Sequence, residues 1–357
     1  MKKIQFRSCI LAFVAIVTVL SFTACNGGSS GTGNAGIIGA GSSFDNPLFS
    51  KMFSVYHDST KIQVNYQSVG SGAGISQLTH KTIDFGASDA PMNETQMKAV
   101  QGDVLHIPVT AGAVVISYNL PGFTDSIKLT PGIVADIFLG KIKKWNDPVI
   151  AAVNPNVVLP AIDIVVAHRS DGSGTSAIFT SYLSKISPEW NSKVGNGTSV
   201  NWPIGLGGKG NEGVSGLVKQ TPGGVGYIEL AYAIQNHMPY ASIQNKAGNF
   251  IVPSIESVTA AADIDIPQDG KVLLTNTEAA QGYPISGFSW VLIYKEQNYN
   301  NRTQAQATQL VQLINWMIHN GQQFSSKLDY APLSGAAVAT GETILKSATY
   351  NGQPILK

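Results

Sequence analysis

At 357 residues and 43% hydrophobic side chains, the chain can build sizeable cores, and its length suggests two domains. Lys and Arg number 23 against 22 Asp and Glu, a net charge of +1, so the basic surplus of a nucleic-acid binder is absent. Disorder is excluded too, because disordered chains pair few apolar residues with high net charge, whereas only 13% of these residues are charged, against roughly 25% in an average soluble domain.

The N-terminus carries the first functional sign. Lys2, Lys3 and Arg7 precede an uncharged apolar run from Cys9 to Leu20, and the small residues Thr23 and Ala24 lead to Cys25. This is the layout of a bacterial export signal. The alternative is a retained transmembrane anchor, which would have to cross about 30 Å with the 18 residues 8–25, the short limit for a span. Cleavage before Cys25 removes Cys9 and leaves one thiol, which cannot form an internal disulfide. Phe22-Thr23-Ala24-Cys25 resembles a lipoprotein processing site, with Phe22 where Leu is usual, so Cys25 is expected to be diacylated through its sulfur. Residues 1–24 are then the signal and 25–36 a lipid-anchored linker. Positions 26–36 hold only Asn, Gly, Ser, Thr and Ala, a flexible composition with a reach of about 18 Å. Two acyl chains hold a membrane stably where one is marginal. Without 1–24 the chain keeps 20 basic and 22 acidic residues, a charge of −2.

Beyond residue 36, short apolar runs alternate with helical patterns, as in an α/β protein. Strands are expected at 62–66, 114–118, 162–167 and 288–294. Helical stripes run through Leu48, Phe49, Met52, Phe53 and Tyr56, and through Ile178, Phe179, Tyr182, Leu183 and Ile186. The clearest is Leu310, Leu313, Ile314, Met317 and Ile318, with Gly321 just past its end. All three read as core faces. Pro and Gly clusters at 120–122, 221–224 and 282–284 mark turns, and no internal repeat is present.

One feature recurs three times. Gly39-Ala40-Gly41-Ser42-Ser43-Phe44 precedes the Leu48 stripe, and Gly70-Ser71-Gly72-Ala73-Gly74 follows the 62–66 strand. Arg169-Ser170-Asp171-Gly172-Ser173-Gly174-Thr175 follows the 162–167 strand. Each feeds a helix N-terminus, where unpaired backbone N–H groups and the positive dipole end favour an anion. A single such loop is ordinarily a cap and a tight turn. Three together, one bearing a permanent guanidinium at Arg169, point to a shared anion pocket.

Other patterns carry less. Gly205-Leu206-Gly207-Gly208-Lys209-Gly210 fits a dinucleotide fingerprint with Glu229 downstream, but 201–204 is a poor strand for it. No Walker A occurs. The six histidines show no paired ligand spacing, so no transition metal and no cofactor are expected. Lys141, Lys143 and Lys144 beside Trp145 read as a solvated face, and the sequons at Asn93, Asn196 and Asn301 mean little in a bacterial lipoprotein.

Several blocks together are more specific than any loop. The 39–44 segment, Asp84-Phe85-Gly86-Ala87-Ser88-Asp89-Ala90-Pro91, Leu139-Gly140-Lys141-Ile142-Lys143-Lys144-Trp145-Asn146, the 169–176 segment and 202–211 resemble, in order, the periplasmic phosphate-binding proteins of Pst ABC transporters. The resemblance runs from about Ile38 to the C-terminal helix. It implies an α/β, two-lobed periplasmic binding protein fold (type II-like), with a hinge and an interlobe ligand cleft. The chain would cross near 108–113 and return near 285–290, making lobe I 37–110 and 286–357 and lobe II 111–285. Phosphate contacts would fall on Ser43, Phe44 (through its backbone), Ser71, Asp89, Arg169, Asp171, Ser173, Gly174 and Thr175. Ser43 stands where many members have Thr, and His168 where some have a second Arg. The implied partners are inorganic phosphate and the transmembrane permease subunits of an ABC transporter, with the protein in the periplasm or at the cell surface, lipid-anchored to the membrane.

The acids in this set have a physical use. Phosphate near neutral pH still carries a proton that a carboxylate can accept, whereas sulfate has none and meets like charge. Asp171 is expected to set this selection, with Asp89 acting in the same direction; the other reading of Asp171 is a helix-terminal acid or a partner for Arg169. Two other functions remain open, a secreted phosphatase with Ser173 as nucleophile and a surface protein without transport.

Overall fold

The chain opens with β1 (Ile37–Gly41), which pairs in parallel with β2 (Val64–Ser68) on one side and β3 (Phe85–Ser88) on the other. Parallel neighbours need crossovers, and the helices Asn46–Thr60 and Ser71–Thr79 supply them. In the first, Leu48, Phe49, Met52, Phe53 and Tyr56 are buried as the stripe predicts, and Pro47 sits in the opening turn, where its missing N–H costs nothing. It stops at Lys61, whose left-handed φ of 64° lets its N–H close on His57 O.

The structure is a computed structural model and describes residues 36–356; the expected signal at 1–24, Cys25 and nearly all of the linker lie outside the described residues. Among the described residues no helix is long and apolar enough to cross a membrane.

After β3 comes β4 (Val104–Tyr118), a fifteen-residue strand buried along almost its whole length. There follow β5 (Lys128–Leu129), β6 (Val165–Arg169), β7 (Leu206–Gly208), β8 (Gly224–Glu229), β9 (Ser242–Gln244), β10 (Phe250–Ile251), β11 (Ser286–Tyr294), β12 (Thr349–Tyr350) and β13 (Gln353–Pro354). The main sheet runs β2-β1-β3-β11-β4-β8-β6-β7. At roughly 3.3 Å per residue, β4 is long enough to serve two sets of partners in succession. Residues Val104–Ala113 pair antiparallel with β11, and Val114–Tyr118 pair antiparallel with β8. β6 then runs parallel to both β8 and β7. The result is the expected two-lobed α/β fold, with β4 joining the two halves of the sheet.

The expected strands and helices are present with local differences. Residues 114–118 are the last third of a much longer strand, because Pro108 interrupts the pattern. Pro108 sits where the β4–β11 register shifts between Ser289 and Trp290, an irregularity that accommodates a residue with no N–H to give. β6 begins at Val165, since Ile162 O and Ile164 N instead bond Trp145 N and Lys143 O. The stripes at 178–186 and 310–318 lie in the helices Gly174–Ile186 and Gln304–Ile318, the latter started by a capping box between Thr303 and Gln306.

Candidate anion-binding site

In open parallel sheets ligands sit beyond the carboxyl ends of the strands, where the strand order switches. Here β1 ends at Gly41, β2 at Ser68, β3 at Ser88, β6 at Arg169 and β7 at Gly208. Each is followed within a few residues by a predicted site residue or a glycine turn. The loops from the two ends of the sheet meet face to face. Gly72 N donates to Gly172 O at 2.9 Å, and Gly174 N donates to Ser71 Oγ at 3.1 Å. Asn211 donates to Ser43 Oγ through its backbone N at 3.1 Å and its Nδ2 at 3.0 Å. Gly70 (φ 91°) is required here, since a Cβ would stand 2.3 Å from Asp171 Oδ2.

All nine expected contact residues gather in this place, in different states. Arg169 is 3% exposed and grips Asp171 with both arms of its fork, Nε to Oδ1 at 2.8 Å and Nη2 to Oδ2 at 2.5 Å. Its Nη1 donates to Thr175 Oγ1 at 3.3 Å. Tyr227 holds the strand end by accepting from Arg169 N at 3.0 Å. Ser173 caps the helix Gly174–Ile186, its Oγ accepting from Ser176 N at 3.0 Å; among the described residues no imidazole or carboxylate is bonded to that hydroxyl. Phe44 N donates to Ser42 Oγ at 2.9 Å, and the loop is fixed from beneath by Tyr330, whose hydroxyl donates to Phe44 O at 2.6 Å, and by Tyr232, which donates to Ser43 O at 2.7 Å.

The two aspartates part company. For Asp171, burial works against the charge, but the hydrogen bonds and charge of Arg169 and the N–H of Gly210, 3.0 Å from Oδ1, outweigh it and hold the carboxyl below its ordinary range. Both its oxygens are engaged with Arg169. Asp89 is 1% exposed, and burial pushes its carboxyl up to about 6 against the hydroxyls of Ser42, Ser289 and Thr175 and the charge of Arg169. Its Oδ1 accepts from Ser289 Oγ at 2.9 Å, while Oδ2 has no hydrogen-bond partner. That oxygen faces the helix N-terminus: a Cβ on Gly174 would lie 2.5 Å from Asp89 Oδ2 and 2.6 Å from Ser71 Oγ. The arrangement offers a guanidinium, several N–H and O–H donors, and one buried acceptor oxygen. It suits an oxyanion that still carries a proton.

Ser42, Ser289 and Asn211 join these contacts although none of them is an expected site residue. Asn211 had a signal, since the 205–210 glycine pattern is a fourth small-residue loop feeding a helix, Gly210–Gln220. The 202–211 block carries part of the family resemblance, but its strand is Leu206–Gly208 and not 201–204, where a nucleotide fingerprint would need it. Asn211 is fully buried; its Nδ2 reaches Ser43 and Thr175 Oγ1 (3.2 Å), and its Oδ1 accepts from Glu229 N at 3.0 Å. Asn211→Ala strands these groups, at about 1–3 kcal/mol for each buried one left unsatisfied. The variant should melt several degrees lower and bind anion more weakly; an unchanged melting temperature by calorimetry would remove this keystone role.

The PBP superfamily domain matches residues 26–320. A phosphate-binding protein PstS of Pasteurella multocida (strain Pm70) is 46% identical over 301 residues, which cover 83% of this chain and 86% of the relative. PstS of Methanocaldococcus jannaschii is 37% identical over 342 residues, 88% of each chain. Among solved structures, the X-ray structure of a phosphate-binding protein from Stenotrophomonas maltophilia superposes with a TM-score of 0.65 at 17% identity, over 85% of this chain and 92% of that one, a likeness of fold. With one superfamily domain across most of its length and relatives this similar over more than four-fifths of it, the chain belongs to the PstS family of phosphate-binding proteins.

Proposed function

We propose that this protein captures inorganic phosphate outside the cytoplasm and delivers it to the membrane permease of an ABC transporter, with no chemistry on the phosphate. The observation that carries the reading is the unpartnered, buried oxygen of Asp89 set among donors beside Arg169. Donors alone would hold any tetrahedral oxyanion. A fixed acceptor among them selects one that brings its own proton.

In this reading the halves 37–110 with 286–357 and 111–285 are lobes that open about β4 and β11, and the bonds between Ser43 and Asn211 and between Ser71 and Gly174 belong to the closed state. Oxygens of the ligand take over donors now satisfied by one another. Ser43, Phe44, Ser71, Ser173, Gly174 and Thr175 supply hydroxyls and backbone N–H groups, Arg169 the charge, and Asp171 the orientation of Arg169. Cys25, diacylated, tethers the domain to the membrane near the permease. Names of relatives support the ligand, since both PstS proteins above are called phosphate-binding.

Equilibrium dialysis of residues 26–357 with labelled phosphate tests this reading. Binding should be saturable, one phosphate per chain, and indifferent to a large excess of sulfate, with phosphate esters left intact. Equal displacement by sulfate, or ester turnover, would overturn it.

A further inference from the structure

Behind the cleft lies a second acid that the reading above does not use. Asp45 is fully buried, directly after the loop of Ser42, Ser43 and Phe44 and immediately before the helix Asn46–Thr60. Its Oδ2 lies 2.5 Å from Ser289 Oγ, and the same hydroxyl lies 2.9 Å from Asp89 Oδ1. One serine oxygen therefore stands between two buried carboxyl groups. A hydroxyl has one proton to give and two lone pairs to receive with. It cannot donate to both acids, so if both bonds exist, one acid must donate to it.

The surroundings decide which. Asp89 is met by the hydroxyls of Ser42 and Thr175 and by the charge of Arg169, all favouring its ionised form. Asp45 has no such company. Its Oδ1 is buried with no partner, and the titratable groups facing it are Asp89, Glu229, Tyr66 and Tyr330. Asp89 also has one bare oxygen, but the charge of Arg169 offsets its ionisation, whereas no cation is among the groups facing Asp45, so a bare oxygen there is far cheaper on a neutral acid. We propose that Asp45 is a protonated positioning residue: its O–H donates to Ser289 Oγ, whose hydroxyl donates to Asp89 Oδ1, keeping Asp89 ionised with Oδ2 free to accept from the ligand. Burial first, and then the charge of Asp89, push the Asp45 carboxyl well above its ordinary range against the Ser289 bond, in agreement. Glu229, also buried, likewise has a bare oxygen, Oε1, but it does not bond Ser289, and its Oε2 accepts from Ala231 N at 2.7 Å.

The proposal rests on the phosphate-capture reading only for its ligand, and one arm of the test needs no ligand. The first arm follows phosphate affinity by calorimetry as pH falls, where binding weakens as Asp89 takes up a proton. Ser289→Ala removes a donor to ionised Asp89, so this acidic limb should move upward by about one pH unit. A mere packing defect would weaken binding at all pH values and leave the limb in place. Asp45→Asn replaces the acid O–H with an amide N–H donor of the same shape, so the limb should stay where the wild type has it. If Asp45 were the ionised member and Asp89 the protonated one, Asp45→Asn would remove a negative charge and move the limb down. The second arm is the infrared difference between wild type and Asp45→Asn at neutral pH without phosphate. A carboxylic-acid C=O band should be lost. Loss of a carboxylate band instead, a downward limb in Asp45→Asn, or an unmoved limb in Ser289→Ala overturns the proposal. Should the wild type bind no phosphate at all, the capture reading fails, and the infrared arm still locates the proton.

Discussion

Arg169→Ala is expected to weaken phosphate binding by about a hundredfold or more. Two losses combine. The ligand forfeits charge-assisted hydrogen bonds from a guanidinium that is 3% exposed. Asp171, now without its partner, turns an uncompensated negative charge on the same cleft. Arg169→Lys should recover little, because one ammonium cannot satisfy both Asp171 oxygens while also reaching Thr175 and the ligand. Titration calorimetry on a variant with native circular dichroism measures the effect, and an affinity within a factor of two of wild type would remove Arg169 from the site.

Asp89→Asn should have the second large effect, on selectivity. Its amide can turn a donor toward an oxyanion, and the charge that repels sulfate is gone. Phosphate loses an acceptor and gains relief from repulsion, so its affinity changes less than that of sulfate, and the ratio of the two dissociation constants should collapse on the order of a hundredfold. Asp171→Asn should behave differently, lowering affinity for any anion by loosening Arg169 while leaving sulfate excluded. If Asp171→Asn instead admits sulfate and Asp89→Asn does not, the roles are reversed.

The same substitution should strengthen the empty protein. Asp89 holds its proton up to about 6 in the fold against an ordinary value of 3.8, so the folded state binds the proton more tightly than the unfolded chain. Stability from this group therefore falls as pH rises through that window, and the cost is fully present above it. Asp89→Asn removes the cost, a gain on the order of 3 kcal/mol at neutral pH that vanishes near pH 4. Thermal melts of ligand-free wild type and variant at both pH values read it directly.

Much of this was legible in the sequence because it is local. A stripe such as Leu310 to Ile318 states its own helix, and a glycine-rich loop before a stripe states a helix N-terminus. Three such loops, with Arg169 in one, suggest one shared place, and the structure brings them together. What stayed hidden depends on pairing between distant segments. β4 read as a short strand because Pro108 breaks its pattern, and only the shifted register with β11 makes room for that proline. Ser289 sits mid-strand in a buried run with nothing to mark it, 200 residues from Asp89. The sequence offers Asp171 as a partner for Arg169 only as one of several readings, and it takes the folded loop to show that Arg169 grips Asp171 with both arms while Asp89 keeps a bare oxygen.

Diffraction from crystals grown with phosphate is the most direct measurement, read at a single contact: the carboxylate oxygen within hydrogen-bond reach of the ligand. Asp89 Oδ2 is expected there, with the Arg169 guanidinium, Ser71 Oγ and the N-terminus of the helix Gly174–Ile186 around the remaining phosphate oxygens. A phosphate whose carboxylate neighbour is Asp171 alone, or one lying outside these loops, would contradict it.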